Sequence, residues 1–129
     1  MELRTRLGLA AGLVLALQAG AAGTVSAQDA APAAVTPEAV AKGDTIYHKT
    51  GLCYACHGTN AQGAVGPNLT DAEWIHGDGS YDNIVATVTS GVPKEKAKNG
   101  IPMPPKGGSS ITDEDVKAVA AYVYSLSHQ

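Results

Sequence analysis

The stretch Cys53-Tyr54-Ala55-Cys56-His57 decides how this chain is read. It holds both of the chain's 2 cysteines, three positions apart, with a histidine directly after the second. C-x-x-C-H is the attachment signal for a c-type haem. One helical turn places both thiols on one side, each able to add across a haem vinyl group, and the adjacent imidazole then points at the iron. Three other readings leave more unexplained. A thioredoxin-like pair belongs at the end of a strand in a βαβ unit, and no strand-like run precedes Cys53. A structural zinc site needs four closed ligands, and the chain has neither a second Cys pair nor a closely spaced His pair. A small disulfide leaves His57 without a role.

Upstream, the chain opens with Met1-Glu2-Leu3-Arg4-Thr5-Arg6, a head of net positive charge, followed by an apolar run over residues 7–17. That run has the length of a signal-peptide h-region and is too short to span a bilayer. Val25-Ser26-Ala27 has the A-x-A-like form, so residues 1–27 read as a signal peptide directing export to the periplasm. An uncleaved anchor is the alternative. Without a cysteine, the segment offers no lipoprotein attachment. Cleavage after Ala27 would leave 102 residues with 7 basic and 11 acidic side chains. A mildly acidic domain is a poor partner for nucleic acid, and after leader removal nothing is expected to cross a membrane. The chain has no Phe and 1 Trp, so its core is thin, and a large apolar cofactor is a sensible supplement. In an oxidising compartment a lone Cys pair would close into a disulfide unless haem attachment consumed it.

Residues 28–35, QDAAPAAV, read as a flexible Ala/Pro-rich linker, and residues 36–129 as one domain. Thr36-Pro37-Glu38 starts a helix that continues through Gly43 and Tyr47, and Gly43 within it suggests a close helix crossing. After His57 comes a turn-rich loop, GTNAQGAVGPNL. Thr70-Asp71-Ala72-Glu73 has the form of a capping box, with Leu69 and Trp74 as its hydrophobic staple, and predicts a short helix stopped at Gly77. Ser80 caps the next helix, on which Tyr81, Ile84, Val85 and Val88 share one face ended by Gly91. Residues 91–110 form a long Gly/Pro-rich loop without periodicity. A last helix begins at Thr112 with an acidic first turn and an Ile111–Val116 staple, and buries Val116, Val119, Ala120, Val123 and Leu126. No segment reads as a convincing strand, so the fold class is all-α.

Met103 is the only methionine beyond the leader, 46 residues after His57, in the stiff stretch Ile101-Pro102-Met103-Pro104-Pro105. Thioether ligation opposite His57 raises the haem potential and favours electron transfer; a methionine filling a core gap is the competing reading. His48, His76 and His128 read as surface histidines. Lys94, Lys96, Lys98 and Lys106 surround the Met-bearing segment against one acid, Glu95, either as a docking patch for an acidic redox partner or as an ordinary solvated loop.

Four stretches carry a family resemblance: the attachment motif, Gly66-Pro67-Asn68-Leu69, Pro102-Met103-Pro104, and VAAYVYSL at residues 119–126. In this order they resemble a class I cytochrome c along nearly the whole expected mature chain. LTDAEWIHG, residues 69–77, also resembles haem domains of cbb3-type oxidases and of dehydrogenase-linked cytochromes. The resemblance implies a cytochrome c fold of about four short helices around one haem c. Cys53 and Cys56 would hold it covalently, with His57 and Met103 as iron ligands. It also implies that Pro67 offers its carbonyl to His57, that Leu69 packs on the haem face, and that Gly43 and Tyr47 cross the last helix near Val119 and Tyr122. Trp74 is expected either to meet a haem propionate or to staple its short helix, with the staple favoured. Tyr47 precedes Cys53 by six residues, slightly longer than the family's shorter versions. The implied function is one-electron transfer rather than catalysis. A periplasmic, monomeric shuttle between a donor dehydrogenase or respiratory complex and an acceptor oxidase or reductase is expected first, a haem subunit docked to a larger complex second, and a haem enzyme or gas sensor with an open iron third.

Overall fold

The structure, a computed structural model, describes residues 31–129; the expected leader and the first residues of the linker lie outside this range. Four α-helices follow one another, α1 (Pro37–His48), α2 (Tyr54–His57), α3 (Tyr81–Ser90) and α4 (Asp113–Ser127). Among the described residues no strand forms, only one antiparallel bridge between Val92 and Met103. The expectation of an all-α fold is met. Within the expected linker, the Val35 N–H returns to the Pro32 carbonyl in a turn, at 2.8 Å.

The caps act where their side chains can reach orphan backbone donors. Thr36 Oγ1 accepts from the Ala39 N–H at 3.2 Å, and Pro37 occupies the first helical position, where its missing N–H costs nothing. Ser80 Oγ accepts from Asn83 at the start of α3. In α4, Thr112 and Asp115 exchange side-chain and backbone hydrogen bonds in a full capping box. Ile111 and Val116 are both buried beside it.

The third expected cap behaves differently. Residues 70–77 form no helix, although Thr70 and Glu73 stand at capping-box spacing. Asn68 Oδ1 takes both the Thr70 N–H (2.8 Å) and the Thr70 hydroxyl (2.7 Å), and Asp71 Oδ1 takes the Glu73 N–H at 3.1 Å. These local Asx turns compete with a helix for the same donors. With Gly77 and Gly79 close behind, too few residues remain to offset the cost of helix nucleation. The Leu69–Trp74 staple therefore has no helix to close.

The largest helix contact is α1 on α4, and it turns on Gly43. A Cβ at position 43 would overlap the Ala118 carbonyl oxygen and fall 2.8 Å from the Tyr122 Cβ, so only glycine allows the two backbones this close. One turn on, Tyr47 is fully buried and meets Tyr122 edge-on, ring centroids 5.4 Å apart. The crossing falls at Ala118 and Tyr122, within one residue of its expected place. α3 packs against α4, and Ile46, Ile84, Val88, Val116, Val119 and Val123 form most of the shared core.

Gly43→Ala should lower the unfolding free energy by about 1–3 kcal/mol, because the added methyl overpacks a backbone–backbone contact that has no flexible side chain to yield. Thermal or denaturant unfolding of the purified domain measures this, and an unchanged midpoint would mean that α1 and α4 are not in contact at this residue.

Candidate functional site

The attachment motif begins where α1 is turned back. The Gly51 N–H reaches the Ile46 carbonyl at 2.8 Å, and Leu52 takes a left-handed backbone with φ of 55°. This compact turn accommodates the six-residue spacing between Tyr47 and Cys53. α2 is a single turn, so Cys53, Cys56 and His57 are displayed as one helical cluster. Cys53 is partly buried and Cys56 exposed. Burial pushes the Cys53 thiol up to about 11, the opposite of the lowered pKa that a reactive redox thiolate requires.

His57 is buried, and its Nδ1 lies 2.9 Å from the Pro67 carbonyl oxygen. A carbonyl only accepts, so Nδ1 carries the proton and donates it, which leaves the Nε2 lone pair free for a metal. Burial lowers the pKa of the ring and outweighs the opposing effect of the Pro67 carbonyl, so the imidazole is held neutral. The Gly66 backbone comes close to the ring. A Cβ there would stand 2.8 Å from His57 Cε1 and 2.9 Å from Nδ1. The loop that brings Gly66 and Pro67 into place is tied to α2 by the Gly66 N–H on Cys56 O and the Gly63 N–H on His57 O, both 2.8 Å. Tyr47 completes the frame, its buried hydroxyl donating to the Gly58 carbonyl at 2.7 Å.

These residues face a cavity of about 190 Å³ that runs through the middle of the described fold. Cys53, Cys56, His57, Pro67, Leu69 and Met103 all line it, so the structure brings together every residue singled out from the sequence as cofactor-binding. Met103 arrives on a loop pinched by its bridge to Val92, with N···O distances of 2.8 and 3.0 Å, and Pro102 and Pro104 restrict the backbone on either side. The rest of the wall is mainly aliphatic, including Ile84, Val88, Val119 and Val123. A flat apolar ring with one metal-directed imidazole and two adjacent thiols at its edge fits this set, as haem c requires.

Several residues stand elsewhere than the sequence suggested. His76 lines the cavity instead of lying on the outer surface, and so do Trp74 and Asn83. Asn83 carried no sequence signal, since an asparagine in the first turn of a helix is commonplace. His48 is a structural clasp, with Nε2 2.7 Å from the Thr59 carbonyl and Nδ1 2.9 Å from that of Asp44. Those acceptors, Thr59 first, raise its pKa. His128 stacks on Tyr124 at 3.8 Å. Lys106 leaves the expected basic patch, its ammonium paired with Asp113 at 2.8 Å. Lys94, Lys96 and Lys98 remain exposed, and Lys98 reaches the cavity rim.

The family model for cytochrome c oxidase, cbb3-type, subunit III matches residues 38–123. The cbb3-type cytochrome c oxidase subunit CcoP of Rubrivivax gelatinosus is 44% identical over 101 residues, covering 78% of this chain and 30% of that protein. Subunit FixP of Bradyrhizobium sp. (strain ORS 278) is 40% identical over 92 residues, covering 67% of this chain and 30% of that one. The chain thus spans about 30% of the length of these curated relatives. The crystal structure of cytochrome cL from Methylophaga aminisulfidivorans matches with a TM-score of 0.55 at 20% identity, covering 73% of this chain and 57% of that one, a likeness of fold. With the match extending from the first turn of α1 into α4 and the attachment motif at the cavity wall, the chain belongs to the cbb3-type cytochrome c oxidase subunit III family of class I c-type cytochromes, whose cofactor is covalently bound haem c.

Proposed function

We propose that this chain is a haem-bearing electron-transfer domain that works docked to a cbb3-type oxidase, passing on single electrons received from a dehydrogenase or respiratory complex. The observation that carries this reading is the subunit III match over residues 38–123, which includes the attachment motif and Met103. It supports this reading better than the freely diffusing shuttle that the sequence placed first. On this reading residues 1–27 direct export, residues 36–129 form the haem domain, and the domain faces the periplasm.

The residues divide the work. Cys53 and Cys56 would hold the haem through two thioether bonds. His57, held neutral and oriented by the Pro67 carbonyl, would present Nε2 to the iron. Met103, on its pinched loop, would supply the second iron ligand. Bound in this way, the haem would supply a one-electron Fe(III)/Fe(II) couple, and Met/His ligation would favour a high potential. Leu69, Ile84, Val88 and the α4 valines would keep water from the ring faces, and Gly66, without a Cβ, leaves the room that the imidazole occupies.

Replacing Met103 by Ala should abolish the thioether charge-transfer band of the oxidised protein, lower the reduction potential and allow rapid CO binding by the reduced form. Unchanged spectra and potential would remove Met103 from the ligand set, while the pyridine haemochrome spectrum reports separately whether haem is attached. For the docked assembly, the oxidase purified from native membranes should retain this chain through a high-salt wash and size exclusion. Recovery of the chain alone at its own size, with none in the oxidase fraction, would restore the diffusing shuttle.

A further inference from the structure

The last turn of α1 holds two consecutive carbonyls of the loop that follows the attachment motif. Tyr47 takes the Gly58 carbonyl, and His48 beside it takes the Thr59 carbonyl through Nε2 at 2.7 Å. The other ring nitrogen of His48 is engaged as well. Its Nδ1 lies 2.9 Å from the Asp44 carbonyl oxygen and 2.9 Å from the Asp44 carboxylate Oδ1. Carbonyl and carboxylate oxygens accept and never donate. A neutral imidazole has one N–H, so either neutral tautomer would aim a nitrogen lone pair at an oxygen within hydrogen-bond distance. Only the imidazolium, with two N–H donors, satisfies both ends.

The surroundings of the ring agree with a cation there. On α1 the Asp44 carboxylate supplies the opposite charge, and the Tyr47 ring lies edge-on at 4.9 Å. From α4, Tyr122 approaches to 6.2 Å between ring centroids. Burial pushes up the pKa of both phenols, so neither is charged where an imidazole titrates. The loop contributes Gly58 and Thr59, which do not titrate. The Thr59 carbonyl, followed by that of Asp44, raises the pKa of the ring, with partial burial opposing them. Thr59 stands two residues after His57, and the loop it opens runs on to Pro67, whose carbonyl holds His57 Nδ1 at 2.9 Å. Ala61 ties the middle of this loop, its N–H donating to the Gly58 carbonyl and its own carbonyl accepting from the Leu69 N–H.

We propose that His48 is a positioning residue that works as an imidazolium: backed by Asp44, it clasps the Thr59 carbonyl and so fixes the loop that aims the His57 ring. This rests on the haem reading above for the use made of His57, while the clasp itself belongs to the protein. The clasp depends on pH, and the sign follows from its charge. The stabilisation it gives is fully present below the ordinary histidine pKa, about 6.5, and is lost as pH rises through the raised value of the folded state. Tyr47 keeps its hydrogen bond to Gly58 throughout, so rising pH loosens one of two adjacent anchors without unfolding the domain.

The test uses the reduced, haem-loaded, isotope-labelled protein. Nuclear magnetic resonance of the His48 ring nitrogens should give a titration midpoint above about 6.5, a result that does not depend on any variant folding. Below that midpoint, the Ala61 and Gly63 amides and the His57 Nδ1–H should exchange with solvent about three- to tenfold more slowly than in His48→Gln, the loss expected for one charge-assisted hydrogen bond at a partly exposed site. Above it, the difference should vanish. Comparing the two proteins at each pH cancels the intrinsic pH dependence of exchange. Asp44→Asn separates the clasp from an ordinary ion pair within one helix: the midpoint should stay above about 6.5, because the Thr59 carbonyl remains. A midpoint at or below that value in the unaltered protein, its return there in Asp44→Asn, or an exchange difference that does not change with pH would overturn the proposal. Because the pyridine haemochrome spectrum identifies attached haem in each sample, failure of the clasp is distinguishable from failure of the haem reading itself.

Discussion

The close approach of α1 to α4 at Gly43 is the constraint on which the site depends. With no Cβ between the helices, the Gly43 backbone rests on the Ala118 carbonyl, and Tyr47 is driven fully into the core against Tyr122. From there its hydroxyl holds the Gly58 carbonyl, one residue past His57. That anchor sets where the loop after α2 begins, and the same loop returns Pro67 to the His57 imidazole. A helix crossing about two turns from the attachment motif is thereby linked through three contacts to the orientation of one ring. Burial raises the tyrosine's own pKa, so the hydroxyl stays protonated and remains a donor.

The second constraint is the scarcity of bulk. The core cluster is built from valine, isoleucine, alanine and one tyrosine, and several of its members also form the cavity wall. A core of this composition closes poorly over its own centre, and a large planar apolar group supplies the missing volume. The loops follow the same logic. Residues 58–69 and 92–108 carry little side-chain mass, and backbone bonds to α2 and across the Val92–Met103 bridge hold them in place. The site is therefore made largely of main chain arranged around a void, with a few side chains set at chosen points.

How legible each part was followed from how local its physics is. Thr36, Ser80 and Thr112 were readable as caps because a cap is satisfied within three or four residues. Thr70 carried the same signature and misled, because Asn68 and Asp71 offered the same donors a tighter local partner. Lys106 was readable as a charge but not as a paired one, since its partner Asp113 belongs to the start of α4. The staple favoured for Trp74 and the surface position expected of His76 were lost with the short helix meant to carry them, which did not form. Asn83 gave no signal, because nothing in a sequence shows which polar atoms end up without a partner.

The sequence by itself determined the chemistry that short spacing encodes: two thiols and an imidazole on one helical turn, a methionine among prolines, and four stretches in the order of a class I cytochrome c. These depend on covalent neighbours, so they survive without coordinates. Tertiary structure alone decided which distant groups share a cavity. It placed Pro67 2.9 Å from His57, brought Gly66 close to the imidazole, and closed the wall with Asn83 and its unpartnered amide oxygen. Each of those follows from the packing of α1 on α4 and the loops it anchors, a sum over contacts between residues far apart in the chain that no local pattern records.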